Sequence, residues 1–95
     1  MADPILDIAD TVVKVEFGDL PPAVVEATKK DILDTLATTL AGSAVPGGKE
    51  AAEVMAEWGG KEESSVLVFG VRLPAPSAAL ANGTMAHALD YDDTY

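Results

Sequence analysis

Apolar residues recur with helical spacing along most of this chain, and glycine and proline punctuate the pattern. In Pro4 to Glu16 (PILDIADTVVKVE) they fall at Ile5, Ile8, Ala9, Val12 and Val13. Asp3 stands where an N-cap belongs. Pro4 suits the first helical position, where a missing N–H costs nothing. Gly18 to Pro22 breaks the segment. The strongest helix pattern then runs from Pro22 to Ala41, with Val25, Ile32, Leu33, Leu36 and Leu40 on one stripe and Gly42 as a C-terminal stop. Asp31 and Asp34 fall off that stripe and read as solvated or helix-contact positions.

After a loop at 43–48 (SAVPGG), the stretch 49–58 (KEAAEVMAEW) predicts a short helix. Ala52, Met55 and Ala56 point inward in this reading; Glu50, Glu53 and Glu57 point outward. Gly59-Gly60 ends the helix. Met55 and Met85 read as core, and Trp58 as a packing anchor. The β-branched and aromatic run Ser65 to Phe69, then Gly70, then Val71 to Leu73, predicts a small hairpin or a kinked strand. Pro74 and Pro76 stop it. Ser77 is placed to cap a last helix reaching roughly Asp90 or beyond. The fold class is mainly α: about four helices with one short β excursion. No repeat or low-complexity tract interrupts it.

Composition narrows the possibilities. Ninety-five residues make one domain at most, with a modest core. Hydrophobic residues form 48% of the chain, which argues against disorder. The filling is mostly Ala, Val and Leu, since the aromatics are Phe17, Trp58, Phe69, Tyr91 and Tyr95. Six Lys and Arg against sixteen Asp and Glu give a net charge of −10. Nothing here neutralises phosphates, so a nucleic-acid partner is excluded, and an anionic membrane surface would repel the chain. Without cysteine there is no disulfide, thiolate metal site or cysteine nucleophile. The start, Met-Ala-Asp-Pro, lacks a signal peptide's basic and apolar regions, and no apolar run suits a membrane span. A cytoplasmic protein is the expectation.

Chemistry concentrates in HALDYDDTY, residues 87–95. If the last helix continues to Thr94, then His87, Asp90 and Thr94 lie on one face at i, i+3 and i+7. Gly83 opens that face one turn earlier, and Asn82 and Asp93 share a second face. An imidazole, a carboxylate and a hydroxyl so aligned suit binding and protonation of a substrate. From spacing alone, a solvated acidic run is the stronger reading. A metal held by His87, Asp90, Asp92 and Asp93 is a rival, but an EF-hand's glycine and final glutamate are missing and successive helical residues diverge. Neither Gly47-Gly48 nor Gly59-Gly60 leads into a phosphate-binding Gly-Lys-Ser/Thr.

Four stretches in order resemble the amino-terminal part of the MmgE/PrpD family: LPPAVVEATKKDILDTLATTLAGS (20–43), the Pro46-Gly47-Gly48 loop, the helix after it, and SSVLVFGVRLPAPSAALANGTMAHALDYDDTY (64–95). The last is the specific one. The family includes 2-methylcitrate dehydratase, cis-aconitate decarboxylase and an iminodisuccinate epimerase. The resemblance implies a large helical domain followed by a smaller α/β lid, usually as a homodimer, with no iron–sulfur cluster and no organic cofactor. It implies proton transfer at carbon beside a carboxylate in a small polycarboxylate. Asp90 and Thr94 match the substrate-contacting, catalytic positions. His87, Asn82 and Asp93 match positions that bind substrate or shape the site. A further histidine belongs soon after the threonine in the family, and the chain ends at Tyr95 ahead of it. Residues 1–95 therefore read as a single, incomplete amino-terminal segment of the helical domain, inactive alone.

Two other classes compete. An acidic carrier module needs Asp-Ser-Leu at a helix start, and the nearest match, Asp34-Thr35-Leu36, is mid-helix. A non-catalytic interaction or assembly module would pair with its own copies or with a full-length relative through apolar helix faces, and exposed stripes at 22–41 and 77–89 would favour it.

Overall fold

The computed structural model describes residues 3–91. Contacts divide the chain into two units, Met1–Asp31 and Ile32–Tyr95. In the first, α1 (Pro4–Lys14) begins as expected: the Asp3 carboxylate accepts the Ile5 N–H at 3.1 Å, satisfying one donor that the first helical turn leaves free. A Lys14–Asp10 pair, 2.9 Å, closes its last turn. The helix stops two residues short of Glu16. No residue of α1 is buried; Ile5, Leu6, Ile8, Val12 and Val13 are all exposed. A 3-10 turn at Phe17–Asp19 follows, where the Asp19 carboxylate accepts the Glu16 N–H at 3.0 Å. Pro22 then starts α2 (Pro22–Gly42), which runs on into the second unit.

The second unit holds the end of α2, then α3 (Gly48–Trp58), β1 (Ser64–Ser65), β2 (Arg72–Leu73) and α4 (Ala75–His87). Its core joins Ala52 and Met55 of α3, Val66 and Leu73 of the hairpin, and Ala78, Ala81 and Met85 of α4. Alanines let α3 and α4 approach closely but bury little area each, so the larger side chains Met55, Val66, Leu73 and Met85 carry most of the hydrophobic gain. Ala56 is exposed, contrary to expectation. So is Trp58, at 75%: one turn beyond Met55, it has left the face that α3 buries and anchors nothing among the described residues.

Gly42 is the last residue of α2 rather than a stop beyond it. A Cβ there would overlap the Met85 carbonyl, and a Cβ on Gly48 would strike the Met85 side chain. Both glycines are buried and exist for close approach. Gly47 and Gly59, by contrast, take positive φ values of 122° and 71° at the two ends of α3. The Gly47 N–H donates to the Glu50 carboxylate at 2.7 Å. That bond, helped by the backbone N–H of Glu50 itself and by Lys49, holds the Glu50 carboxyl below its usual 4.5.

The β excursion is shorter than its sequence predicts. β1 and β2 pair antiparallel, Ser64 opposite Leu73 and Ser65 opposite Arg72. The β-branched run between them turns instead of extending, because Val68 adopts φ 71° and Phe69 donates its N–H back to the Leu67 carbonyl at 2.8 Å. Pro74 sits at the N-cap of α4 and Pro76 in its first turn, so Ser77 is already helical and caps nothing. No helix among the described residues is long and apolar enough to cross a membrane.

Candidate functional site

The last turn of α4 positions the polar cluster. The helix ends at His87, three residues before Asp90, and not at Asp90 or Thr94. Ala88 donates its N–H to the Met85 carbonyl at 3.3 Å, and Asp90 donates its own to the His87 carbonyl at 3.0 Å. Asp90 manages this in the left-handed region, φ 54°, which aspartate tolerates better than most residues. The turn therefore ends the helix without a glycine.

That turn also brings two candidate side chains together. His87 Nε2 lies 3.6 Å from Asp90 Oδ1, beyond hydrogen-bond length but within ion-pair range when the imidazole is protonated. The side chains are 73% and 76% exposed, so water screens the pair and it adds little stability. An arrangement that contributes little to folding, yet leaves an imidazole and a carboxylate open to a ligand, suits binding and proton exchange.

Beside the pair, Ala79, Leu80, Gly83, Thr84, His87 and Ala88 line a shallow depression along α4. Nothing lies within 4 Å of where a Gly83 Cβ would sit, as the spacing predicted. Thr84 donates its hydroxyl to the Leu80 carbonyl at 2.8 Å, leaving the oxygen able to accept from a ligand. Thr84 and Leu80 were absent from the sequence reading; continuing the His87 face back by three and seven residues would have found them. Among the described residues, no Lys or Arg lines the depression.

Asn82 is placed differently. Half-buried on α4, it accepts the Leu67 N–H at 2.9 Å and donates its amide to the Ser65 carbonyl at 3.1 Å. Its side chain joins the hairpin to the helix. Asp93 and Thr94, named with it from the sequence, lie outside the described residues, as does Asp92 of the metal reading. Among the described residues no group of three or more metal-ligating side chains converges.

The sequence model of the MmgE/PrpD N-terminal domain matches residues 6–95. The chain belongs to this family. The MmgE/PrpD chain is also similar to the cis-aconitate decarboxylase-like protein oryM of Aspergillus oryzae, 29% identical over 87 residues. That match covers 92% of this chain but 18% of the relative's length. No solved structure matches the chain.

Proposed function

We propose that residues 1–95 contribute one wall of the active site of a cofactor-independent lyase or isomerase. Its substrate would be a small polycarboxylate, with cis-aconitate as the first candidate and 2-methylcitrate as the second. The observation that carries this is the His87–Asp90 pair, held 3.6 Å apart at the open end of α4 in an MmgE/PrpD chain. Decarboxylation breaks a C–C bond and leaves electrons on carbon that must take a proton. Dehydration and epimerisation instead remove a proton beside a carboxylate. All three reactions need a positioned acid or base and cations to hold the developing negative charge.

In this reading Asp90 and Thr94 act on the substrate, while His87 and Asp93 bind it or shape the site. Asn82 shapes it by fixing the hairpin against α4. The cations must come from elsewhere. The segment carries a net charge of −10 and, among the described residues, no Lys or Arg lines the depression, so like charges would repel a di- or tricarboxylate. Residues 1–95 alone are therefore inactive, and the working site is completed by more of the enzyme, in a cytoplasmic homo-oligomer. The test is turnover of cis-aconitate and 2-methylcitrate by the whole gene product and by residues 1–95 separately. Activity in the first and none in the second supports the reading; turnover by the isolated segment refutes it.

A non-catalytic assembly module is the alternative, and one observation favours it: Ile32, Leu33, Leu36 and Leu40 are exposed along α2. A partner that covers this stripe without any associated turnover would support that function.

A further inference from the structure

Val68 is the one described residue besides Asp90 that holds a left-handed backbone without being glycine, and it is β-branched, for which that conformation is strongly disfavoured. The turn around it is tight. Phe69 donates to Leu67 across Val68 at 2.8 Å, and Gly70, itself at φ 69°, donates to Val66 at 3.1 Å. The Val68 side chain is 58% exposed, so burial does not compensate for the strain. Something else must hold the turn.

Leu67, Phe69 and Val71 pack half-buried against the core, and two hydrogen-bonded anchors add to them. Val66, fully buried, bonds to the Val71 carbonyl at 2.9 Å and ties the base of the turn to the core. Asn82 reaches from α4 to the same limb on either side of Val66, accepting from Leu67 and donating to Ser65. The Leu67 N–H that it takes belongs to the residue preceding Val68. A two-bond amide clamp and one residue of left-handed strain are effects of the same order, so the clamp is strong enough to hold the strained turn but not to make it immovable.

We infer that Asn82 is a strap: it holds the 66–71 turn in its strained form, and freeing it lets Val68 relax and the turn open while the α3–α4 core stays closed. Opening of this kind stays local, at the exposed Val68 and Gly70, because Leu67, Phe69 and Val71 keep their half-buried contacts with the core. The strap also ties the turn to α4, the helix that presents His87, without depending on what His87 does.

The test is amide hydrogen exchange in the full chain, read at Leu67 and Gly70 against Ala52 and Met55 as core reporters. Asn82→Leu removes both clamp bonds at similar size and should speed exchange at Leu67 and Gly70 by about tenfold, with the core reporters changed by less than about twofold. Adding Val68→Gly to Asn82→Leu should restore most of the lost protection at Gly70, because the turn then needs no holding, while Leu67 stays fast because its acceptor is gone. Val68→Gly alone should slow exchange at both turn amides, and it keeps the inference testable if Asn82→Leu fails to fold. Equal acceleration at all four amides, or no rescue and no slowing by Val68→Gly, would overturn the strap.

Discussion

Gly42, at the end of α2, packs directly against the backbone of Met85 in α4, so closely that any side chain at position 42 would overlap the Met85 carbonyl. Met85 is fully buried and also touches the space above Gly48 at the start of α3. Three helix segments of the second unit thus meet on one methionine.

Gly42→Ala should therefore destabilise the fold by about 3 kcal/mol, the upper part of the overpacking range, because backbone must move to admit the methyl group. Gly83→Ala is the control. With nothing within 4 Å and a helical backbone, it should stabilise by about 0.5–1 kcal/mol. Urea unfolding midpoints of the two variants, compared at equal m-values, check both signs.

Met85→Ala should cost about 2–5 kcal/mol and leave a cavity between α2, α3 and α4, whereas Met85→Leu should cost less than about 1.5 kcal/mol. Similar losses from both would mean that the side chain is not the packing centre its burial indicates.

Acid should weaken α3 through Glu50. Its carboxyl has a lower pKa folded than unfolded, so it contributes stability above the usual 4.5 that is lost as pH falls through the folded value. Glu50→Gln should remove that part of the pH dependence and leave the rest of the acid limb intact. Thermal unfolding of both proteins from neutral pH down to about pH 3 shows whether the curves converge.

Much of this fold was legible. Asp3 and Pro4 announce α1, Gly59-Gly60 closes α3, and Met55 and Met85 are core because their helical phase puts them there. Two differences arise from contacts between residues far apart in sequence. Gly42 looks like a helix stop until Met85 is seen beside it. Val66 to Val71 has the propensity of a strand, yet Asn82, fifteen residues from Leu67, helps hold it as a turn. The end of α4 failed for a local reason, since Asp90 performs a left-handed turn that glycine usually signals. Of the site, the His87–Asp90 pairing followed from i, i+3 spacing and survived the loss of the helix, because the turn keeps the two side chains adjacent.

Trp58 offers a reading of association. As the single tryptophan, exposed at 75%, it should emit like tryptophan in water and be quenched readily by iodide in residues 1–95 alone. A blue shift with loss of quenching in the Trp58 emission of the whole gene product, taken as its difference from a Trp58→Phe variant, would place this surface under a partner or under more of the enzyme.

In the function proposed above, Asp90 belongs to a proton-transfer site. The most direct measurement is turnover of cis-aconitate by the whole gene product, wild type against Asp90→Asn. Asparagine tolerates the left-handed backbone, so the turn after His87 is kept while the carboxylate is lost. Unchanged stability and a fall in kcat of about 100-fold or more are expected. Undiminished turnover by a folded Asp90→Asn enzyme would contradict that role.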